Sequence, residues 1–172
     1  MKNINYVLLI SFSLFISCNS SEFTTDEIMS YSKKIGIPKE HIFFIHEDFQ
    51  KEIQDKGQPY INIYNNEYKG LKIGTCYEEL PFLIDTLLHQ KKQVIDTMSF
   101  YEKNPIAIEA KMKQFSSVGN NKISIDTSKR YFIFYHYAKY AEELDKKKIP
   151  PMYERYKDSV QFFFINVDKI KQ

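Results

Sequence analysis

The side chains with the most reactive chemistry in this sequence are two cysteines, Cys18 and Cys76. Alternating apolar residues predict a strand over 71–75, and helical spacing with Pro81 near the start predicts a helix over 78–90. Cys76 therefore lies between a strand end and a helix start, where first-turn N–H groups and the helix dipole lower the pKa of a thiol. Such a thiol can form mixed disulfides, but cysteine also packs commonly as a small buried hydrophobe. Both interpretations of Cys76 stay open.

Cys18 follows a run of residues that is typical of an export signal. Residues 4–16 are apolar, Lys2 supplies a positive start, and Ser17 directly precedes the cysteine. The run is too short to span a bilayer comfortably. Residues 1–17 are therefore interpreted as a cleaved signal peptide.

The residues around Cys18 resemble a bacterial lipoprotein processing site, although Phe15 and Ile16 stand where smaller residues are usual. The resemblance implies that Cys18 carries lipid and becomes the new N-terminus, with 18–23 as a tether. Two or more acyl chains hold a protein stably on a membrane. The implied location is the bacterial cell envelope, with the domain in the periplasm or at the cell surface. Secretion with a free Cys18 and retention of 1–17 as an uncleaved anchor are the alternatives.

Lipidation of Cys18 would decide the disulfide chemistry of the chain. It leaves Cys76 as the single thiol in an oxidising compartment, so an internal disulfide is then impossible. A catalytic dithiol made from both cysteines requires that Cys18 is not lipidated.

The composition favours one folded domain over 24–172 and excludes several function classes. Hydrophobic residues make up 43% of the chain, with 14 Phe and 13 Tyr, which is ample for a core and argues against disorder. The net charge is +2, and Arg130 and Arg155 are the only arginines. Nucleic-acid partners favour arginine forks and a clustered basic face, so none is expected. With five glycines and no phosphate loop, no nucleotide or other cofactor is expected.

The histidines do not form a metal-binding pattern. His41 and His46 bracket a predicted strand at an odd separation, so their side chains point to opposite faces. His89 does not stand in a ligand-spaced cluster. We therefore expect no metal site.

The longest segment with a regular hydrophobic pattern is 129–168. Its pattern predicts two apolar strands joined by a helix. Apolar and aromatic residues run over 131–135 and again over 160–167, and the segment between them is long enough for about five helical turns. Two near-continuous apolar strands imply burial on both faces of a sheet, and a crossover helix makes them parallel neighbours. The stretch predicts a βαβ unit of an α/β fold.

This βαβ unit resembles the first one of the thioredoxin-like proteins, most closely their membrane-anchored periplasmic branch. The matching residues are Tyr153, Tyr156, Lys157, Asp158 and the tetrapeptide 165–168. Where that family carries its Cys-x-x-Cys motif, a gap-free comparison places Lys139 and Glu142. These residues can neither attack nor resolve a disulfide, so the family's thiol–disulfide exchange activity does not carry over.

Residues 24–90 resemble the second half of the same family, which has a proline, an antiparallel hairpin and a helix. The resemblance implies that Pro59 is the cis proline beside the family's redox site. The two halves then stand in reversed order, joined by a connecting helix and turn over 91–128. We expect this helix to begin at Asn104 with Ile108, Met112 and Phe115 on one face, after which Ile123 and Ile125 alternate with polar residues before the aromatic strand. In the helix over 78–90, Phe82 is expected on the buried side. We expect a thioredoxin-like mixed sheet with flanking helices, in which 131–135 is central between 160–167 and the hairpin at 60–75. The alternative is a compact unit over 24–90 followed by a second domain cut short after one βαβ.

The resemblance also indicates where a ligand groove would lie. His136 ends the predicted central strand at the edge where open α/β sheets place their sites. Lys139, Tyr140 and Glu142 follow it, and Pro59 would lie opposite. The other interpretation is a surface strand end with ordinary solvated side chains.

Three functions are compatible with these observations. The first is a membrane-anchored envelope lipoprotein whose thioredoxin-like domain lacks the dithiol and serves as a binding or scaffold module for an envelope protein. The second is an enzyme, a monothiol redox protein that uses Cys76. The third is partner binding through exposed tyrosines without any groove, with the candidates Tyr64, Tyr68, Tyr77 and Tyr101.

Overall fold

The computed structural model describes residues 22–50, 61–71, 78–89, 106–119 and 122–171. The strands are β1 Glu22–Phe23, β2 Ile42–Ile45, β3 Ile61–Asn65, β4 Gly70–Leu71, β5 Phe115–Ser117, β6 Tyr131–Tyr137, β7 Val160–Asn166 and β8 Lys169–Ile170. The α-helices are α1 Thr25–Lys34, α2 Leu80–His89, α3 Ile108–Met112 and α4 Glu142–Tyr156, and residues 47–50 are also helical. Short 3₁₀ turns cover Lys39–His41 and Lys139–Ala141.

Six of the described strands form one mixed sheet in the order β4-β3-β6-β7-β2-β5. The central strands β6, β7 and β2 are parallel, and β3, β4 and β5 pair antiparallel with their neighbours. All seven residues of β6 are buried, as its near-continuous apolar sequence predicts. The predicted mixed α/β sheet with flanking helices is therefore confirmed.

The hairpin and the aromatic strand belong to the same sheet, as the first interpretation predicts. Ile61 lies opposite Tyr135, and Asn65 lies opposite Tyr131. On its other side β6 pairs with β7, where Tyr131 faces Val160. The central position of the aromatic strand is thus confirmed. The alternative, in which the hairpin and the βαβ unit occupy separate units, is wrong.

One face of the sheet, here called the helix face, is covered by α1, α2 and α4. Each helix contributes a buried stripe at helical spacing: Ile28, Tyr31 and Ile35 from α1, Leu80, Ile84 and Leu87 from α2, and Ile149, Met152 and Tyr156 from α4. They pack on the odd-numbered residues of β6 and the even-numbered residues of β7. Burying each such side chain stabilises the fold by about 1.5–3 kcal/mol.

The opposite side of the sheet, here called the phenylalanine face, is filled by aromatic rings. Phe134 of β6 stacks on Phe163 of β7 with ring centroids 4.6 Å apart, and it meets Phe115 edge-on at 5.6 Å. Phe43 of β2 also contacts Phe115 and Phe163. Ile108 of α3 completes this second core.

Helix α1 begins and ends with local signals that are visible in the sequence. Thr24 and Glu27 form a capping box: the Thr24 hydroxyl accepts from the Glu27 N–H, and the Glu27 carboxylate accepts from the Thr24 N–H. Gly36 follows the helix with φ of +78°, a conformation that glycine adopts without strain. A side chain at Gly36 would meet Pro150 of α4 at 2.9 Å, so this turn also fixes how closely α1 approaches α4.

Three sequence-based expectations are corrected by the sheet. Phe115 was expected on a helix following Asn104, but it opens strand β5, because pairing with β2 and ring packing outweigh local helix propensity. Phe82 was expected on the buried side of α2, but it is 76% exposed because Leu80, Ile84 and Leu87 form the inward stripe. Residues 123 and 125 were expected in a strand, but they are irregular chain that packs on the phenylalanine face.

The last two residues of the predicted tether over 18–23 form a strand. Glu22–Phe23 forms β1, which pairs in parallel with β8 in a small separate sheet. The Lys171 N–H donates to the Phe23 carbonyl at 2.9 Å, and Lys169 forms an ion pair with Glu22. The first described residues are therefore held against the last ones.

Candidate functional site

The sequence predicts a groove at the place where β6 and β7 end. This region is here called the carboxyl edge. It comprises residues 138–142 after β6 and residues 167–168 after β7. The strands are parallel, so their carboxyl ends meet at the same side of the sheet, which is where open α/β sheets bind ligands. The sequence-based location of the groove therefore corresponds to one continuous surface.

Asp168 organises the backbone of the carboxyl edge. Its Oδ2 accepts from the Lys139 N–H at 2.8 Å and from the Asn166 side-chain amide at 2.9 Å. Its own N–H donates to Asn166 Oδ1 at 3.1 Å. The carboxylate thus ties the turn that precedes α4 to the end of β7, and Asn166, which is buried, orients it.

The two residues that the gap-free comparison placed at the Cys-x-x-Cys motif both make contacts within the chain. The Lys139 ammonium lies 4.2 Å from the centre of the Phe23 ring, a cation–π contact. Glu142 forms an ion pair with Lys34 of α1, and this pair lowers the pKa of the Glu142 carboxyl. Both side chains are thus engaged by the chain's own N-terminal elements, β1 and α1.

Tyr140 stands between these two positions and faces outward. Its side chain is 72% exposed, the highest value at the carboxyl edge among the large hydrophobic residues described. Desolvation and the nearby carboxylates of Asp168 and Asp145 raise the pKa of its phenol. Of the four groove candidates that the structure describes, Lys139, Tyr140 and Glu142 lie together at the surface.

His136 lies inside the protein, which corrects the expectation that it ends the strand at the surface. β6 continues to Tyr137, and His136 is 0% exposed. The ring faces away from α4, since the alternation along β6 directs Tyr135 and Tyr137 to the helix face. His136 therefore does not line an open groove.

Three sequence candidates lie outside the described residues: Cys18, Pro59 and Cys76. The same holds for Tyr77 and Tyr101 of the tyrosine hypothesis. Of the other two tyrosines, Tyr64 is buried and donates to the Ile106 carbonyl at 2.9 Å. Tyr68 is 38% exposed.

A buried carboxyl group beneath the carboxyl edge escaped the sequence analysis. Asp145 of α4 is 2% exposed and lies on the helix face. Tyr135 donates to its Oδ1 at 3.3 Å, and Tyr31 of α1 lies 3.1 Å from its Oδ2. The Tyr31 hydroxyl is also 3.2 Å from the Ala138 carbonyl. Asp145 thus connects α1, β6 and α4 through hydrogen bonds.

The geometry around Asp145 favours its protonated form. Tyr31 has a single hydroxyl proton and two acceptors, Asp145 Oδ2 and the Ala138 oxygen. If Asp145 carries the proton on Oδ2, it donates to Tyr31, and Tyr31 donates to Ala138, so every group is satisfied. Burial accordingly raises the pKa of Asp145 from 3.8 to about 7, although the two tyrosine hydrogen bonds act in the opposite direction.

A second buried pair joins α1 to the end of β6. The Ser32 hydroxyl and the Tyr137 hydroxyl lie 2.6 Å apart, and Ser32 also donates to the Ile28 carbonyl at 2.8 Å. Because the Ser32 proton is used by Ile28, Tyr137 is the donor between the two. Burial raises the pKa of Tyr137, so its phenol stays protonated.

The sequence did contain a signal for Asp145. It precedes Ile149, Met152 and Tyr156 by 4, 7 and 11 residues, which is the spacing of the buried stripe of α4. An acidic residue on such a stripe needs hydrogen-bonding partners. Tyr31 is 114 residues away in sequence, so the partner itself has no local signal.

Two of the described histidines line clefts, and these clefts are separate. His46 lines a cleft of about 720 Å³ beside β8, whereas His41 lines a different one of about 330 Å³ beside Lys129. Among the residues that the structure describes, no group of three or more His, Cys, Asp or Glu could hold a metal ion. No helix within the described ranges is long and apolar enough to cross a membrane.

The carboxyl edge of the described chain thus presents an exposed tyrosine, a lysine and a carboxylate held by internal contacts, and a buried acid that solvent does not reach. Such a surface can bind but offers no thiol at the two family positions. No family model matches the chain, and comparisons with curated proteins and with solved structures gave no significant match.

Proposed function

We propose that this chain is a membrane-anchored lipoprotein of the bacterial cell envelope, with a thioredoxin-like domain that lacks the redox dithiol. Lipid on Cys18 holds it on a membrane, and the domain serves as a binding or scaffold module for a protein partner. Thiol–disulfide exchange is not its activity.

The order of the strands supports the thioredoxin-like part of the proposal. The aromatic strand that resembles the family's first redox strand is central, its βαβ partner β7 lies on one side, and the antiparallel hairpin lies on the other. These are the neighbours that the resemblance implies. Only the order along the chain differs, because the hairpin precedes the βαβ unit.

The observation that carries the functional part is the state of the two former cysteine positions. Lys139 contacts the Phe23 ring, and Glu142 pairs with Lys34. An exchange enzyme needs an accessible thiolate at the helix start and a second thiol that resolves the mixed disulfide. Here the chain itself covers both positions with β1 and α1, which suits a stable surface better than a reaction centre.

The direct test is reduction of insulin disulfides by the purified lipidated chain in detergent, with dithiothreitol as the terminal reductant. We expect the rate to equal that of dithiothreitol alone. A rate near that of a dithiol thioredoxin at the same concentration would exclude the scaffold proposal.

A second test asks whether the fold is that of an exchange enzyme without its sulfurs. In a Cys76→Ser background, Lys139→Cys together with Glu142→Cys installs two thiols three residues apart at the start of α4. The helix N-terminus should lower the pKa of the first thiol and give insulin reduction above background.

The matched control for this test is Glu154→Cys with Lys157→Cys in the same background. Both residues are exposed, and the pair has the same spacing, but it lies at the C-terminal end of α4 and away from the carboxyl edge. Activity in the first pair and not in the second supports the thioredoxin-like arrangement. Equal rates for the two pairs contradict it.

A further inference from the structure

The place where the described chain begins restricts how the domain sits on its anchor. β1 is fixed beside the carboxyl edge by four contacts, of which one reaches the edge itself and three go to residues 169–171 that follow it. They are the pairing of β1 with β8, the Glu22–Lys169 ion pair, the hydrogen bond from Lys171 to Phe23, and the Lys139–Phe23 contact. The chain therefore leaves the domain beside the positions that correspond to the family's dithiol.

The anchor cannot be far from this point. Cys18 precedes Glu22 by four residues, and four residues of fully extended chain span at most about 14 Å. A diacylated cysteine lies in the bilayer with its backbone at the headgroups. Glu22, beside the carboxyl edge, is then within about 14 Å of that surface. This distance is less than the length of α4, which is about 22 Å for its 15 residues.

The chemistry of the edge suits a headgroup layer. Tyr140 projects from it with 72% of its surface exposed, and tyrosine is enriched at membrane interfaces because its ring is apolar and its hydroxyl is polar. Lys169 and Lys171 are exposed beside it. The acids Glu22, Glu142 and Asp168 each have a lysine or an N–H donor of the chain as partner, which offsets their repulsion from phosphate groups.

We propose that the carboxyl edge rests on the headgroup layer of the phospholipid bilayer that holds the lipid on Cys18, with Tyr140 in contact with that layer. This inference rests on the proposed lipoprotein function. Its consequence is that the former dithiol positions face the membrane. The opposite end of the domain, where β6 and β7 begin, then faces away from the membrane.

The opposite end offers a matched reference position. Phe82 is 76% exposed, almost the same as Tyr140. The Pro81 carbonyl beside it accepts from Tyr156, the last residue of α4, whereas Tyr140 lies just before the first residue of that helix. The two aromatic side chains are therefore separated by roughly the 22 Å length of α4 along its axis.

The experiment uses the full chain, expressed with its own N-terminal segment and purified from membranes, then reconstituted in phosphatidylethanolamine–phosphatidylglycerol vesicles. In a Cys76→Ser background, Tyr140→Cys and Phe82→Cys are labelled separately with the same thiol-reactive fluorophore. Lipids that carry a nitroxide on the headgroup then serve as the quencher. We expect quenching of about half or more at position 140 and less than about a tenth at position 82, because of the distance between them. A soluble nitroxide should quench position 82 at least as strongly as position 140.

Two failures can be told apart. Mass spectrometry of the purified chain shows whether Cys18 carries acyl groups. An unmodified Cys18 overturns the lipoprotein assignment and this inference with it. A lipidated chain in which position 140 is quenched no more than position 82 overturns the docking orientation alone. Circular dichroism of both labelled variants verifies that a difference does not come from unfolding.

Discussion

The two faces of the central strand β6 are packed by different chemistry. On the phenylalanine face, Phe134 lies against Tyr64, Phe115 and Phe163, and ring contacts dominate. On the helix face, the neighbouring residues Tyr135 and Tyr137 carry hydroxyl groups that hydrogen-bond to α1 and α4. One strand therefore has a side dominated by ring packing, which also holds the buried His136, and a side with a buried network of tyrosine and carboxyl groups.

The difference shows how each face contributes to the fold. Ring packing is nearly independent of pH and tolerates small adjustments of angle. A polar network must satisfy each donor and acceptor, so it fixes one arrangement of the helices but becomes costly when a proton is gained or lost. We expect the phenylalanine face to supply stability and the helix face to set the position of α1 relative to α4. The following predictions test this division.

The largest effect should come from the phenylalanine face. Phe134→Ala removes a ring that is 0% exposed and contacts three others, and it should lower the free energy of unfolding by about 3–5 kcal/mol. Urea denaturation at pH 5 and pH 8 should give the same loss, because the contacts that are lost are those between aromatic rings. Phe82→Ala on the exposed side of α2 is the control and should cost less than about 0.5 kcal/mol. A loss that changes with pH would contradict the proposed division.

The helix face should respond to pH through Asp145. The pKa of this carboxyl is raised in the folded protein, so the unfolded chain loses its proton first as the pH rises. Folding stability from this group is therefore complete below about pH 4 and declines between about pH 4 and pH 7. Asp145→Asn keeps the shape of the protonated acid and removes the titration.

The measurement is the unfolding free energy of Asp145→Asn minus that of the wild type, determined by urea denaturation across this range. The difference should rise by roughly 2–4 kcal/mol from pH 4 to pH 8 in favour of the variant. Glu143→Gln, at an exposed position of the same helix, should show no such trend. A flat difference for Asp145→Asn would mean that the carboxyl is ionised in the folded state.

A smaller effect is expected where α1 meets α4. Gly36→Ala forces a side chain into the left-handed region and toward the Pro150 ring, and it should cost about 2 kcal/mol. The exposed Gly119 has φ of +82°, so Gly119→Ala isolates the backbone cost of about 1 kcal/mol. Thermal unfolding of both variants measures the difference. Equal decreases in the unfolding temperature of the two variants would show that α4 moves to accommodate the added methyl group.

The Ser32–Tyr137 pair is the last test, and substitutions of its two residues should lower the free energy of unfolding by different amounts. Ser32→Ala leaves the buried Tyr137 hydroxyl without its acceptor and should cost about 1–3 kcal/mol. Tyr137→Phe leaves Ser32 bonded to Ile28 and should cost about 1 kcal/mol or less. The double variant should be no less stable than Ser32→Ala, which denaturation can show. Additive losses would mean that the two hydroxyl groups do not act together.

Much of the fold could be predicted from the sequence because its central elements are long. The apolar runs of β6 and β7 and the helix between them left few alternatives, and their parallel pairing followed. Phe115 was assigned to a helix because residues 108–115 have helical spacing, whereas the rings of Phe43 and Phe163, far away in sequence, determine its strand conformation. β1 and β8 have two residues each, so they leave no periodic pattern.

The sequence comparison brought Lys139 and Glu142 to one neighbourhood, but it did not predict the burial of His136. Gap-free comparison identified Lys139 and Glu142, and both lie at the carboxyl edge. His136 was placed at the surface because the end of β6 was set two residues too early. The contacts with Phe23 and Lys34 join residues more than 100 positions apart, so no local pattern contained them.

The order of the strands along the chain has a consequence for how the protein reaches its folded state. β6 begins at residue 131, and it pairs with β3 on one side and with β7 on the other. The partner of Glu22, Lys169, lies 147 residues later in the chain. Such distant closures make folding slow, so most of the polypeptide must be available before any central ladder can form. During that interval the aromatic segments are open to chaperones.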